Sequence, residues 1–154
     1  MTLQLDAIDR RLLKTLQGDS RKTVQELGLV AGLSPSACHR RIKALEDAGV
    51  ISGYHAAIDT ARIGFTLQFF LEVSLSTQAE QALDAFEAAV RDIPEILECH
   101  LMAGQADYLL RVICRDAEDF ERLHRRLAAR LPGLARVQSN MTIRTVKSRR
   151  DLPI

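Results

Sequence analysis

The sequence predicts an α+β protein in two parts, an N-terminal winged-type helix-turn-helix followed by a C-terminal ferredoxin-like βαββαβ domain. Three observations carry that reading. Two helix-spaced segments meet at Gly32, just before a Ser34-Pro35 helix start. Residues 67–75 alternate apolar and polar, as a strand with one buried face does. The second half then runs twice through the order strand, helix, proline, strand, with Pro94 and Pro132 at equivalent places. The expected domains are residues 1–52 for the helix-turn-helix, 53–65 for a linker strand and 66–154 for the ferredoxin-like part.

In the first part, Asp6 and Asp9 suit the start of a helix whose apolar positions Ile8, Leu12, Leu13 and Leu16 recur at helical spacing. Gly18-Asp19-Ser20 ends it. Thr23 and Glu26 form a capping box for a short second helix through Ala31. Gly32 makes the tight turn. Ser34 and Pro35 open a third helix, a hydroxyl cap with proline where no amide partner is needed. That helix extends to about Ala48, and Gly49 closes it. Helix, glycine-bearing turn and helix make the helix-turn-helix pattern. Cys38, Ile42 and Leu45 face inward at i, i+4, i+7, with Cys38 filling a small core gap. Residues 50–59 look extended and supply the linker.

In the second part, Leu83, Phe86, Val90 and Ile93 follow the first strand at helical spacing, and a strand runs from Ile96 to Met102. A third strand spans Tyr108 to Cys114, and Asp116 and Asp119 start a helix with Phe120, Leu123 and Leu127 inward. The last strand is expected from Ala135 to Val146. Helices then cover one face of an antiparallel sheet, and Phe70 points to the other, which a second copy of the chain would cover.

The totals exclude several classes. A chain of 154 residues buries roughly 70% of its unfolded surface, enough for real cores. The 47% hydrophobic and 27% charged fractions describe a folded soluble protein, with no apolar run near the ~20 residues of a membrane span. The start has acids and arginines where a signal peptide needs apolar residues. Cys38, Cys99 and Cys114 are too few and too scattered for a disulfide framework or zinc knuckle, which points to a reducing cytoplasm. The histidines have no metal spacing either, so no metal and no cofactor are expected.

A net charge of +1 argues against indiscriminate coating of nucleic acid. From Ser34 to Leu45 the charges are nevertheless all basic, Arg40, Arg41 and Lys43, with His39 beside them. A local basic patch on a near-neutral chain suits sequence-specific DNA binding. The expected contact set is Ser34, Ser36, His39, Arg40, Arg41 and Lys43, in the part of the helix that reads a major groove. A solvated basic face is the bland alternative; the glycine turn, the Ser-Pro cap and the missing acids favour double-stranded DNA. The arginine stripe Arg122, Arg125, Arg126 and Arg130 is interleaved with Glu118, Asp119 and Glu121 and reads as a solvated face.

Taken in order, the runs Leu5-Asp6, Asp9-Arg10, Leu33-Ser34-Pro35-Ser36, Arg40-Arg41, Leu45-Glu46, Gly49-Val50-Ile51 and Gly53-Tyr54 resemble the Lrp/AsnC, or feast/famine, regulators. So do Pro94-Glu95-Ile96, Gly104 with Asp107-Tyr108-Leu109-Leu110, Leu131-Pro132-Gly133, Lys147 and Leu152-Pro153. The resemblance implies a homodimer assembling to a tetramer or octamer. It also implies transcriptional control of amino-acid metabolism or transport, in response to a free amino acid, with a branched-chain or other apolar one suggested by the ending.

That effector would bind near the turn at 104–108, in a set comprising Met102, Ala103, Gly104, Gln105, Asp107, Tyr108 and Ser139. By residue chemistry alone this stretch is equally an ordinary hairpin turn. As a site, Asp107 would take the ammonium and the Gly104 and Gln105 amides the carboxylate. Ser139, on the last strand, reads first as a plain strand residue and second as a further polar contact.

Rival functions have less support. No catalytic constellation or phosphate-cradling loop marks an enzyme. RNA recognition on this topology needs paired aromatics on the central strands, and Leu110 stands where the partner of Tyr108 would be. An effector-independent regulator is the nearer alternative; an amino-acid sensor without DNA binding conflicts with the intact helix-turn-helix.

Overall fold

The computed structural model describes residues 4–148 and 151–154. Residues 1–3, the start of the first expected domain, and 149–150, within the last, lie outside the described residues. The chain forms two compact units. One takes in the chain up to Ala57 together with the stretch from Val146, and the other is Ile58–Thr145.

The first unit is built on α1 (Ala7–Gly18), α2 (Val24–Ala31) and α3 (Pro35–Asp47). Each starts where its capping chemistry dictates. The Asp6 carboxylate accepts the amides of Ile8 and Asp9, and Asp9 accepts the Asp6 amide in return. Thr23 and Glu26 close the same reciprocal box on α2. Ser34 accepts the Ala37 amide at the start of α3. Each such cap is worth on the order of 1 kcal/mol. Gly32 ends α2 with φ at 70°, the left-handed region where only glycine is unstrained. A β-carbon on Gly28 would lie 2.8 Å from the Leu33 carbonyl oxygen, so glycine is what lets the turn fold back tightly on α2. Leu12, Leu16, Leu27, Ala31, Cys38 and Ile42 form the core.

The C-terminal stretch was expected to belong with the sheet, but it joins the first unit. Gln17 of α1 donates to the Leu152 carbonyl and accepts its amide. The linker strand expected over 53–65 is not formed among the described residues. Among the described residues, 53–59 pair with no strand. Asp59 accepts the amides of Ala61 and Arg62, nucleating a 3-10 turn at Ala61–Ile63 that Gly64 closes at φ 97°.

The second unit is β1 (Leu67–Leu75), α4 (Glu80–Arg91), β2 (Ile96–Leu101), β3 (Tyr108–Cys114), α5 (Ala117–Arg130) and β4 (Leu134–Met141). The sheet order is β2-β3-β1-β4 with antiparallel neighbours, the ferredoxin-like βαββαβ arrangement. Phe69, Leu71, Val73 and Leu75 bury one face of β1 against the helices, where Phe69 stacks on Phe120 with ring centres 3.8 Å apart. The last strand was expected to reach Val146 but stops at Met141, which pairs with Phe69. Thr142 still reaches β1 at Gln68, its amide donating to the Gln68 carbonyl and its hydroxyl accepting from Gln68 Nε2, and beyond it Ile143 is exposed.

Candidate functional site

Helix α3 presents two faces. Cys38, Ile42 and Leu45 are buried, and burial pushes the Cys38 thiol above its ordinary pKa, so it stays a neutral core residue. Ser36, His39, Arg40 and Lys43 are exposed on the opposite side. Arg40 has no carboxylate partner among the described residues, and Lys43 has a loose one in Asp47 at 3.5 Å. These side chains are therefore available to phosphates and base edges.

Two expected contacts are otherwise engaged. Arg41 was placed in the DNA set, but Nη1 donates to Asp6 at 2.7 Å and to Asp9 at 2.8 Å. It faces α1 because position 41 lies one residue off the exposed stripe. The Asp9 amide and the Arg41 guanidinium together hold the Asp6 carboxyl below its ordinary pKa. The Ser34 hydroxyl caps α3 and lies 3.2 Å from the Ser36 hydroxyl. Sequence reasoning missed Lys22 and Tyr54. With His39, Lys43 and Glu46 they line a cleft of about 240 Å³ beside α3, and the Tyr54 hydroxyl donates to Glu46 at 2.9 Å. A charge count over α3 alone could not find Lys22, which arrives from the turn before α2.

The second candidate is the turn between β2 and β3. The Met102 amide donates to the Asp107 carbonyl, and the Asp107 amide donates to Val73, so the turn is held at both ends. Between them Ala103, Gly104 and Gln105 are exposed, and among the described residues the amides of 103–106 have no hydrogen-bond acceptor. Met102 is 44% exposed beside them. Gly104 is not among the positive-φ glycines and has open space around it, so this turn does not require glycine's left-handed freedom.

Asp107, expected to take an ammonium, already accepts two hydrogen bonds within the chain. Its Oδ2 accepts the Leu75 amide and its Oδ1 accepts Gln78 Nε2, both at 2.7 Å. Each oxygen keeps a second lone pair. Tyr108 was expected to line the site, yet its side chain is 1% exposed. It alternates onto the helix side of β3, packs on Phe86 at 4.5 Å and donates to Glu87 at 3.0 Å. Ser139 is exposed on edge strand β4, opposite Leu71 in the middle of β1. Among the described residues no three His, Cys, Asp or Glu side chains gather to hold a metal ion, and no helix is long and apolar enough to cross a membrane.

A helix-turn-helix with a free basic face, carried on the same chain as a ferredoxin-like unit, defines a two-domain transcription regulator. The Lrp/AsnC ligand binding domain family matches residues 68–152, and a winged helix-turn-helix DNA-binding family matches 5–52. The chain belongs to the Lrp/AsnC family of transcriptional regulators, and like its relatives it is a DNA-binding regulator rather than an enzyme. It is 38% identical over 146 residues to a proline dehydrogenase transcriptional activator of Rhodobacter capsulatus, covering 95% of each chain. It is 37% identical over 150 residues to the leucine-responsive regulatory protein of Salmonella typhimurium, covering 97% of this chain and 92% of that one. In fold it is similar to a Neisseria meningitidis transcriptional regulator solved with L-Met, with TM-score 0.91, 35% identity and 97% of both chains covered.

Proposed function

We propose that this regulator binds DNA through Ser36, His39, Arg40 and Lys43, and that an apolar amino acid bound at the turn 102–107 adjusts its DNA affinity. The target genes serve amino-acid metabolism or transport, and the protein works in the cytoplasm. The observation that carries the effector reading is the exposed turn itself, whose unpartnered amides at 103–106 are donors for a carboxylate. Asp107 lies at its base with lone pairs left for an ammonium, and Met102 offers an apolar contact. The relative activating proline dehydrogenase transcription, the leucine-responsive relative and the L-Met complex support an apolar amino acid. The working form is a homodimer that assembles to a tetramer or octamer. The sheet face opposite the helices, with Phe70 and Leu109 flanking Arg111, is its dimer surface.

A thermal-shift screen of the twenty amino acids tests this. Stabilisation follows RT ln(1 + [L]/Kd), about 2.7 kcal/mol at 100 times Kd. A hit whose binding disappears in Asp107→Ala supports the turn. No hit at millimolar concentration leaves an effector-independent regulator of the same family.

A further inference from the structure

The cleft of about 240 Å³ beside α3 brings Lys22, from the turn before α2, together with Ser20, His39, Lys43, Glu46 and Tyr54. We infer that this cleft seats one phosphate of the DNA backbone, with Lys22 as its anchor and Tyr54 as the residue that keeps it open. The inference rests on the proposed reading of α3 as the DNA-facing helix, and adds to it a contact from outside that helix.

Lys22 is set apart from the base next to it. Arg21 is engaged locally: its side chain is 91% exposed and pairs with Asp19 at 3.2 Å. Lys22 is half-buried, and among the described residues its ammonium has no ion-pair or hydrogen-bond partner. A lysine that packs its methylenes and keeps its head in water holds its charge in a defined place. Across the cleft His39 and Lys43 stand one turn apart on α3, both exposed. Lys43 has only the loose contact to Asp47 at 3.5 Å. Among the lining residues Glu46 alone is acidic. The Tyr54 hydroxyl donates to Glu46 Oε1 at 2.9 Å, which holds that carboxylate against the tyrosine and away from the lysines.

The lining charges decide what is bound. Two ammonium groups from separate elements repel one another across the cleft, and an anion between them relieves that repulsion. A base edge offers only neutral donors and acceptors, whereas a phosphate accepts from both lysines as point charges. On a DNA-binding unit the anion present in abundance is the backbone phosphate. At about 30 Å³ per water the cleft has the volume of roughly eight waters, room for a phosphate group and the waters that stay with it. Such a contact would fix the register of α3 on the duplex without reading sequence.

The test uses the full chain, a duplex it selects from a random library, and a scrambled duplex of equal length. Lys22→Ala should weaken binding about tenfold, by the same factor on both duplexes, and flatten the salt dependence by about one unit. Lys22→Arg should keep the parental slope. Single methylphosphonates, each removing one phosphate charge, are then placed along the selected duplex. At one position the neutral linkage should weaken the parent and leave Lys22→Ala unaffected. Tyr54→Phe frees Glu46 to pair with the lysines, so it should also weaken binding, and Glu46→Gln in that background should restore it. Parental affinity and slope in Lys22→Ala, a loss confined to the selected duplex, or a loss without a change of slope each overturn the seat. Parental binding by Tyr54→Phe overturns the role given to Tyr54. Arg40→Ala run alongside separates the two readings. A loss there with none in Lys22→Ala keeps α3 on the DNA and discards the cleft, and no loss in either variant removes α3 as well.

Discussion

The carboxylate of Asp107 accepts a hydrogen bond from Gln78 Nε2 at 2.7 Å, while its other oxygen accepts the Leu75 amide. One side chain therefore ties the turn 102–107 both to the end of β1 and to the loop before α4. On the proposed effector reading, an ammonium arriving at Asp107 would share or replace these donors, which would link effector capture to the position of the 76–79 loop.

Asp107→Ala should accordingly do more than remove a ligand contact. The Leu75 amide is part-buried, and leaving it without an acceptor costs about 1–3 kcal/mol. Gln78→Ala removes an exposed partner and should cost well under that. Urea unfolding of both variants checks the order. Equal stabilities would show that Asp107 is not a strut.

Arg40 and Arg41 adjoin in sequence but should separate in assay. Arg40→Ala should weaken binding to a selected operator and flatten the salt dependence by about one unit, the loss of one phosphate contact, with Tm unchanged. Arg41→Ala should lower Tm, because it breaks the contacts from α3 to Asp6 and Asp9. The linkage has a definite sign. A carboxyl held below its ordinary value of 3.8, as Asp6 is, contributes stability above that pH and loses it as pH falls through its folded pKa. The parent should thus lose its Tm advantage over Arg41→Ala when acid scans reach about pH 4 and below. An advantage that persists in acid would remove Asp6 from the account.

The legible features were those set by local chemistry. The Asp6 helix start, the capping box at Thr23, the Ser34-Pro35 start and the alternation from Leu67 to Leu75 each fix an element with few residues, and the structure has all of them. What sequence could not give were choices made between distant segments. Arg41 meets Asp6 and Asp9 only once α1 and α3 pack. Asp107 finds Gln78 across a strand end, Tyr108 turns inward by the register of β3, and the tail at Leu152 returns to Gln17 rather than extending the sheet.

Tyr108 carries a prediction of its own. Tyr108→Phe keeps the packing on Phe86 and loses only the bond to Glu87, so it should cost about 0.5–1.5 kcal/mol. Tyr108→Ala opens a core cavity and should cost about 3–5 kcal/mol. Burial and the Glu87 carboxylate hold the phenol above its ordinary pKa of 10.0. Its contribution is thus full below that value and lost as pH rises above it. Alkaline unfolding should therefore be shallower in Tyr108→Phe than in the parent. Identical profiles would assign the alkaline transition to other groups.

Gly28 tests how tightly the helix-turn-helix closes. A β-carbon there would meet the Leu33 carbonyl oxygen at 2.8 Å, and that oxygen belongs to the backbone, so the turn itself must shift. Gly28→Val should destabilise by about 1–3 kcal/mol as an overpacked site. It should also weaken operator binding, because α2 and α3 move apart. Gly18→Ala is the control, since nothing lies within 4 Å of a β-carbon at that helix end. A Gly28→Val protein with parental Tm and operator affinity would show that the turn accommodates the side chain freely.

The dimer surface can be tested within the full chain. On the sheet face away from the helices, Phe70 stands beside Arg111, which itself pairs with Glu98 at 2.6 Å, and Leu109 lies next to it on β3. In the proposed dimer this face, where Phe70 and Leu109 flank an Arg111 already neutralised by Glu98, would meet its own copy across a twofold axis. Phe70→Glu places a charge where two such faces would meet and leaves the helix-side core, centred on Phe69 and Leu71, untouched. Burying that unpaired carboxylate is costly enough to shift a micromolar dimer toward monomer. Sedimentation velocity should show the parent as dimer or larger and Phe70→Glu as a folded monomer. Because two linked helix-turn-helix units hold adjacent half-sites together, the monomer should also bind a two-half-site operator far more weakly, while its affinity for a single half-site is unchanged. A Phe70→Glu protein that sediments as the parent does would place the dimer contact on another face.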